Sequence, residues 1–395
     1  MIVVVGIGAG GWDEIPVRHQ QLIRDSAVLL GGKRHLDLVP DVPGQRREPW
    51  PSPLREGLPA LIDGLGDAVA LASGDPLVSG IGTTLISLLG RENVRIEPAV
   101  SSVALSRARM RWPAESCAVV SLVGRDVSLV ARELAPGRRI LALSSDESTP
   151  EQVANLLVTT GFGASTMTVL GELGAETEST RTATASAWEG EVPRLNIVAI
   201  ECVGAPLFGW AAGLPDDAFE HDGQLTKRDL RASALARLAP VPGQHLWDVG
   251  AGAGSVGIEW MRTHPACTTT AIEASPERAA RIARNASRLG VPGLTVVEGR
   301  APDALADLPA PDAIFIGGGA TRPGVLDTCL AALRPGGRLV VHGVTLETEQ
   351  VLARQHAERG GELTRISVES VDSIGTFRGW APQRTVVQWA FQPAE

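Results

Sequence analysis

Several features that would mark other protein classes are scarce in this sequence. The chain has four cysteines, at positions 117, 202, 267 and 329, and none belongs to a CxxC pair or to a histidine cluster with metal-ligand spacing. We therefore expect no disulfide framework, no metal site and a cytoplasmic location. No apolar run approaches the roughly 18 residues of a membrane helix. The short segment 1–5 lacks the basic flank of a signal peptide, so we predict a buried strand there.

Basic residues are also few relative to acidic ones. The sequence has 36 Lys and Arg residues against 45 Asp and Glu residues, which gives a net charge of −9. A surface that binds nucleic acid normally carries a basic excess. We therefore predict no nucleic-acid partner and expect a small-molecule enzyme. We also expect no membrane partner and a homo-oligomer. The 44 glycines and 44% hydrophobic residues are typical of an α/β protein.

The length predicts more than one domain. A chain of 395 residues exceeds one ordinary hydrophobic core, so two or three domains are expected. Short apolar segments alternate with amphipathic stretches in the first half, which is typical of α/β structure. A Pro- and Gly-punctuated acidic stretch near 204–223 breaks this pattern. We predict a domain at 1–207, a linker at 208–222 and a second, unlike α/β domain at 223–395.

The second domain begins with a predicted helix at 226–238 and continues with seven candidate strands. The last two strands have no clear helix between them, which predicts a sheet that ends in an antiparallel hairpin. The candidate strands are 245–249, 269–273, 294–298, 313–316, 338–342, 363–368 and 386–391.

A glycine-rich loop follows the first of these strands. Gly250, Gly252 and Gly254 allow a tight turn and close approach of a ligand to the backbone, and a helix N-terminus follows them. Glu273 ends the next strand, where a carboxylate can accept hydrogen bonds from ribose hydroxyls. Asp248 precedes the loop in the pattern Asp-x-Gly-x-Gly-x-Gly, which differs from the GxGxxG of dehydrogenases. The motif predicts a nucleoside site and favours S-adenosylmethionine over a nicotinamide cofactor.

Further along the domain, the sequence offers room and charge for a substrate. Gly317-Gly-Gly319 follows a buried strand, at the edge of the sheet where ligands of open α/β sheets bind. Lys227 and Arg231 lie one helical turn apart, and together with Arg322 they are candidate anchors for substrate carboxylates. No nucleophile or proton-transfer residue is identified, so the catalytic residues stay unassigned.

The second half resembles a known family. It is similar to the class I, Rossmann-like methyltransferases of cobalamin biosynthesis that methylate and decarboxylate precorrins. The resemblance lies in six segments: 226–231, 246–259, 299–305, 312–319, 333–338 and 344–347. The resemblance implies that S-adenosylmethionine is bound by the positions Thr226, Gly250, Ala251, Gly252, Ala253, Gly254, Glu273 and Ala301.

The first half has two glycine loops, near Gly6 and near Gly74, and neither is a dinucleotide fingerprint. The segments 6–8, 31–36, 73–76, 98–102 and 121–125 are together similar to the tetrapyrrole (class III) methylases, in their precorrin C5-methylating branch. The resemblance implies two α/β subdomains with S-adenosylmethionine in the cleft between them. It implies cofactor contacts at Ala9, Asp75, Val78, Ser101 and Ser102.

The two resemblances together imply a bifunctional enzyme. It would methylate C5 and C15 of a precorrin and decarboxylate the C12 acetate side chain. Two alternatives stay open at this point: an NAD(P)-linked oxidoreductase, and a non-catalytic N-terminal binding domain fused to a methyltransferase.

Overall fold

A computed structural model describes residues 1–204 and 208–393, and the chain divides into two compact units, Met1–Ala205 and Pro206–Glu395. The predicted domain boundary at 207 lies outside the described residues. The expected α/β class is confirmed in both units. Within the described residues, no helix combines the length and the apolar character needed to cross a bilayer.

The first unit contains two five-stranded sheets. The first is parallel, in the order β3-β2-β4-β1-β5, and the second is mixed, in the order β6-β7-β10-β8-β9. The strands are β1 Ile2–Ile7, β2 Val28–Gly31, β3 Arg46–Pro49, β4 Ala68–Ser73, β5 Val94–Glu97, β6 Cys117–Ser121, β7 Arg139–Leu143, β8 Thr166–Gly171, β9 Ser179–Thr184 and β10 Asn196–Glu201. The α-helices are α1 Val17–Asp25, α2 Lys33–Asp37, α3 Leu54–Ile62, α4 Ile81–Leu89, α5 Ser102–Met110 and α6 Thr149–Thr159.

The central strands of the first sheet are apolar along their whole length because both faces are buried. On β1, Val4 and Val5 lie in different hydrophobic clusters, one on each side of the sheet. The apolar segments of the sequence therefore predict these strands. The edge strands β3 and β9 are polar and largely exposed, so they have no comparable apolar run.

The second unit is built on one seven-stranded sheet in the order β13-β12-β11-β14-β15-β19-β16. The strand β19 runs antiparallel to both of its neighbours, β15 and β16, and the other neighbouring pairs in this sheet are parallel. The strands are β11 His245–Val249, β12 Thr268–Glu273, β13 Thr295–Glu298, β14 Ala313–Ile316, β15 Arg338–Gly343, β16 Glu362–Ile366, β17 Glu369–Ile374, β18 Phe377–Pro382 and β19 Val386–Phe391. The α-helices are α7 Arg228–Leu238, α8 Ser255–Thr263, α9 Pro276–Arg288, α10 Val325–Ala332 and α11 Leu346–Arg359.

The predicted antiparallel pairing of the last two strands of this sheet is confirmed, but β16 and β19 do not form a simple hairpin. A separate two-stranded ribbon, β17 and β18, lies in the sequence between β16 and β19. Every residue of β17 is exposed, so no alternation of buried and exposed positions marks it in the sequence.

Residues 208–222, predicted as a linker, form part of the second unit and pack against its other elements. Leu214, Ala218 and Phe219 are buried in its hydrophobic core. The backbone N–H groups of Gly213 and Leu214 donate to the Glu259 carboxylate, at 2.6 and 2.9 Å. The Pro and Gly punctuation of the segment therefore marks an irregular but packed strap, since its few apolar side chains are directed into the core.

Candidate functional site

The glycine loop of the second unit follows β11 and needs its glycines for conformation and for space. Gly250, Gly252 and Gly254 have φ of +70°, +60° and +76°, a region that side chains rarely adopt. A Cβ at Gly252 would lie 2.7 Å from the Gln224 carbonyl oxygen, and one at Gly250 would lie 3.0 Å from backbone atoms of Gly318. The loop is thus packed closely against two other backbone segments.

Glu273, at the end of β12, holds this loop directly. Its Oε2 accepts a hydrogen bond from Gly252 N and its Oε1 accepts one from Ser275 N, both at 2.9 Å. The side chain is only 6% exposed. Each carboxylate oxygen has a second lone pair, so further hydrogen bonds can be accepted from a ligand at the loop. The predicted strand-end carboxylate and the predicted loop therefore lie together.

Asp248, the acid of the motif, lies beneath the loop. Its Oδ2 accepts a hydrogen bond from Gly257 N at 2.9 Å, which joins β11 to the first turn of α8. Its Oδ1 has no hydrogen-bond partner among the described residues. Burial raises the pKa of this carboxyl to about 7, and the nearby charge of Glu273 also raises it. The group therefore fixes the loop from below, and it is largely protonated only at pH values below neutral.

The remaining predicted cofactor positions surround the same loop. Ala251 N donates to the Ile272 carbonyl at 3.1 Å, and the Ala253 carbonyl accepts from Asn285 at 3.0 Å. Gly299 N donates to the Glu273 carbonyl at 2.9 Å, which places the segment leading to Ala301 at the end of β12. Thr226 lies two residues after the Gln224 carbonyl that packs on the loop.

Gly317–Gly319 leaves open space on the other side of the loop. Gly317 N donates to the Val249 carbonyl at 2.9 Å, so the glycines continue from the end of β14 beside β11. A Cβ at Gly318 or Gly319 would meet no other heavy atom of the described residues within 4 Å. The edge of the sheet is therefore accessible to a second ligand.

The candidate anchors differ in what the structure allows them to do. Lys227 is half-buried and pairs with Asp216 at 3.6 Å. Arg322 is exposed beside the Gly317–Gly319 segment, and its backbone N donates to the Gly319 carbonyl at 3.0 Å. Both remain candidates for binding a substrate carboxylate.

The prediction that Arg231 anchors a substrate carboxylate is wrong. It is fully buried, and its guanidinium donates to Glu259 Oε1 and to the Leu214 carbonyl. It also donates to Asp216 Oδ1 at 3.3 Å and lies 4.8 Å above the ring of Phe219. Helical spacing placed Arg231 beside Lys227, but its face of α7 points into the core. It binds the 208–222 strap and is closed to substrate.

The first unit encloses a cavity of about 490 Å³. All five residues predicted for its cofactor site line this cavity: Ala9, Asp75, Val78, Ser101 and Ser102. Asp75 Oδ1 accepts a hydrogen bond from Leu77 N at 2.9 Å, and Ser101 Oγ accepts one from Ala104 N at 3.1 Å. These two contacts shape the wall, because they fix the turn after β4 and the start of α5.

Several lining residues carry chemistry that the sequence analysis left unassigned. Arg34, His35 and Trp50 come from α2 and the end of β3, and Asn196 comes from β10. Arg34 and His35 lie in the segment 31–36, one of the segments that resemble the tetrapyrrole methylases. That resemblance was the sequence signal by which these two residues could have been predicted as part of the site. No spacing rule connects that segment with Asn196, because the two are far apart in the chain.

Comparisons with known proteins agree with this two-unit architecture. Residues 1–188 match the family model described as Tetrapyrrole (Corrin/Porphyrin) Methylases, and residues 217–393 match the Precorrin methyltransferase domain. The chain is 45% identical over 395 residues to a Sinorhizobium sp protein named precorrin-6Y C(5,15)-methyltransferase [decarboxylating]. That match covers 99% of this chain and 96% of the relative.

Two Salmonella typhimurium relatives each match part of the chain. A cobalt-precorrin-7 C(5)-methyltransferase is 33% identical and covers 45% of this chain and 88% of its own length. A cobalt-precorrin-6B C(15)-methyltransferase (decarboxylating) is 31% identical and covers 43% of this chain and 90% of its own length.

Proposed function

The chain belongs to the precorrin-6Y C5,15-methyltransferase (decarboxylating) family, and from this premise we propose how its two units divide the reaction. The N-terminal unit methylates C5 of a precorrin in cobalamin biosynthesis. The C-terminal unit methylates C15 and decarboxylates the C12 acetate side chain. Family membership favours methyl transfer over the alternative of an NAD(P)-linked oxidoreductase.

The cofactor of both units is S-adenosylmethionine. When bound, it supplies an electrophilic methyl group on a sulfonium centre. The observation that carries this proposal is the convergence of the glycine loop and Glu273 in the second unit. There the Glu273 carboxylate would accept hydrogen bonds from the ribose hydroxyls, and the Gly250–Gly254 backbone would hold the ligand at close range. In the first unit, the volume of about 490 Å³ lies in the range of small-molecule sites.

The protein contributes mainly positioning to this chemistry. The conjugated macrocycle supplies the nucleophilic carbon, and that carbon loses a proton after the new carbon–carbon bond forms. For decarboxylation, the acetate arm is held while the carbon–carbon bond to its carboxylate breaks. CO₂ leaves, the electrons of that bond enter the conjugated ring, and the remaining methylene carbon then takes up a proton to become a methyl group. In this proposal the open Gly317–Gly319 edge admits a flat ring, and Arg322 and Lys227 hold its acid arms.

Position-resolved product analysis tests this division of labour. The whole chain is incubated with the reduced precorrin and methyl-labelled S-adenosylmethionine. We expect two added methyl groups and one released CO₂ from the wild type. With Glu273→Ala, we expect the C5 methyl group to remain, and the C15 methyl group and the CO₂ to be lost together. A single methyl group from the wild type would instead support a non-catalytic N-terminal unit.

Homo-oligomer formation and a cytoplasmic location stay predictions. Analytical ultracentrifugation of the whole chain measures the first.

A further inference from the structure

The N-terminal cavity contains a cationic side chain whose charge is not neutralised by an ion pair. Arg34 lies on the short helix α2 and lines the cavity. Among the described residues, no carboxylate oxygen lies within the 4 Å ion-pair distance of its guanidinium. Among the described residues, the guanidinium donates one hydrogen bond, to His35 Nε2 at 3.0 Å. Lys33 and Arg34 are both exposed, but Lys33 pairs with Asp37 at 3.1 Å, whereas Arg34 has no such pair among the described residues.

His35 orients this guanidinium. Its Nε2 lies 3.0 Å from Arg34 Nη2 and 3.0 Å from Ser73 Oγ at the end of β4. An arginine can only donate, so Nε2 accepts the hydrogen bond from Arg34. Burial, together with the smaller effect of the Arg34 charge, lowers the pKa of His35 to about 4. The imidazole is therefore neutral at neutral pH and contributes an acceptor without a second positive charge.

The rest of the cavity wall does little to neutralise Arg34. The lining is mainly apolar or small, and Asp75 is the only other charged side chain that the described residues contribute to it. Burial lowers the pKa of Arg34, and the more distant charge of Glu172 partly offsets this. A partly desolvated guanidinium with unused N–H donors is suited to a planar carboxylate, which it can bind through two parallel hydrogen bonds.

We infer that Arg34 is the carboxylate-binding residue of the N-terminal cavity and that His35, held by Ser73, positions its guanidinium. The inference rests on the proposed function, since both ligands assigned to this cavity carry carboxylates. One source is an acid arm of the macrocycle, and the other is the amino-acid end of the cofactor.

The test compares Arg34→Met with Lys33→Met in the whole chain. The test has two arms. In the cofactor arm, titration with S-adenosylhomocysteine measures binding of the cofactor's amino-acid end. In the substrate arm, titration with uroporphyrin measures binding of a polycarboxylate macrocycle. Loss of a charge-assisted hydrogen bond predicts a rise in Kd of about tenfold to a hundredfold in one arm for Arg34→Met. Lys33→Met should stay within about twofold of wild type in both arms.

Two further readouts separate a charge role from a structural one. Arg34→Lys keeps the charge but loses the forked geometry, so its Kd should lie between those of wild type and Arg34→Met. The Kd of the affected arm should rise with ionic strength in the wild type and much less in Arg34→Met. C15 methylation by the same molecules should be unchanged.

The outcomes are decisive for the inference. A weaker uroporphyrin titration assigns the carboxylate to the macrocycle, and a weaker S-adenosylhomocysteine titration assigns it to the cofactor. Unchanged binding in both arms, or an equal salt dependence in wild type and Arg34→Met, would overturn the inference. Absence of C5 methylation in the wild type would instead count against the proposed function, because the titrations do not depend on turnover.

Discussion

The two units build their ligand sites in different ways. In the C-terminal unit, a short continuous loop and one strand-end carboxylate form most of the candidate cofactor site, and Glu273 bonds directly to Gly252. In the N-terminal unit, the cavity is assembled from loops and strand ends that span residues 7–197. A local motif is therefore sufficient to find the first site, whereas the second depends on how distant segments pack. Changes at single positions should accordingly have their largest effects in the C-terminal unit.

Glu273→Ala is expected to have the largest effect. Two hydrogen bonds from ribose to a charged group are worth about 3–6 kcal/mol, so C-terminal affinity for S-adenosylhomocysteine should fall by more than about a hundredfold. Calorimetry on the whole chain should still show the N-terminal site. Glu277→Ala, which removes an exposed carboxylate of the same unit, is the control. C-terminal affinity within about twofold of wild type would exclude the ribose role.

Phe219→Ala should show that the 208–222 strap contributes to the free energy of unfolding of the C-terminal unit. Truncating a buried Phe leaves a cavity and costs about 3–5 kcal/mol, and Phe219 also loses its contact with Arg231. Thermal unfolding should show a lower Tm for the C-terminal unit and an unchanged N-terminal transition. Phe377→Ala removes a ring that is 79% exposed and should change neither. An unchanged Tm in Phe219→Ala would mean that the strap contributes little.

Asp248→Asn should change the pH dependence of stability. In the folded chain, the pKa of Asp248 is raised from 3.8 to about 7 by burial, so its carboxyl keeps a proton that the unfolded chain loses. Unfolding then releases this proton between about pH 4 and 7, and the contribution of Asp248 to stability falls as the pH rises through that window.

Asparagine does not titrate, and its amide oxygen can still accept from Gly257 N. Urea unfolding of the C-terminal unit at pH 5 and pH 7 should therefore show a smaller decrease in Asp248→Asn than in the wild type. Exposed Asp229→Asn should keep the wild-type decrease. Parallel pH profiles for wild type and Asp248→Asn would contradict the assignment.

The smallest effects are expected at the two remaining anchor candidates. Arg322 is exposed beside the open glycine edge, so Arg322→Met should raise the KM for decarboxylation by about tenfold. Lys227 already pairs with Asp216 at 3.6 Å, so Lys227→Met should raise it by less than about threefold. Steady-state CO₂ release measures both. A larger effect at Lys227 than at Arg322 would reverse the assignment of the main anchor.

Much of the fold was predictable because buried parallel strands are apolar throughout. The bounds 245–249, 313–316 and 386–391 were predicted as the structure has them. The polar edge strands β3 and β9 and the exposed ribbon of β17 and β18 were not predicted, since no core selects apolar residues on them. The hydrophobic pattern of a sequence indicates which segments are buried. It does not predict a strand that is held mainly by backbone hydrogen bonds.

The sequence by itself determined the elements whose cause is local. A left-handed turn requires glycine at 250, 252 and 254, and a strand-end carboxylate follows at a fixed spacing, so these features are written in neighbouring residues. Only the tertiary structure decided that Arg231 is buried against Glu259 while Lys227, one turn away, stays accessible. Only it placed Arg34 and His35 in the same cavity as Ser101. The physical reason is that burial and ion pairing depend on which distant segments pack together. Helical spacing alone does not predict that packing.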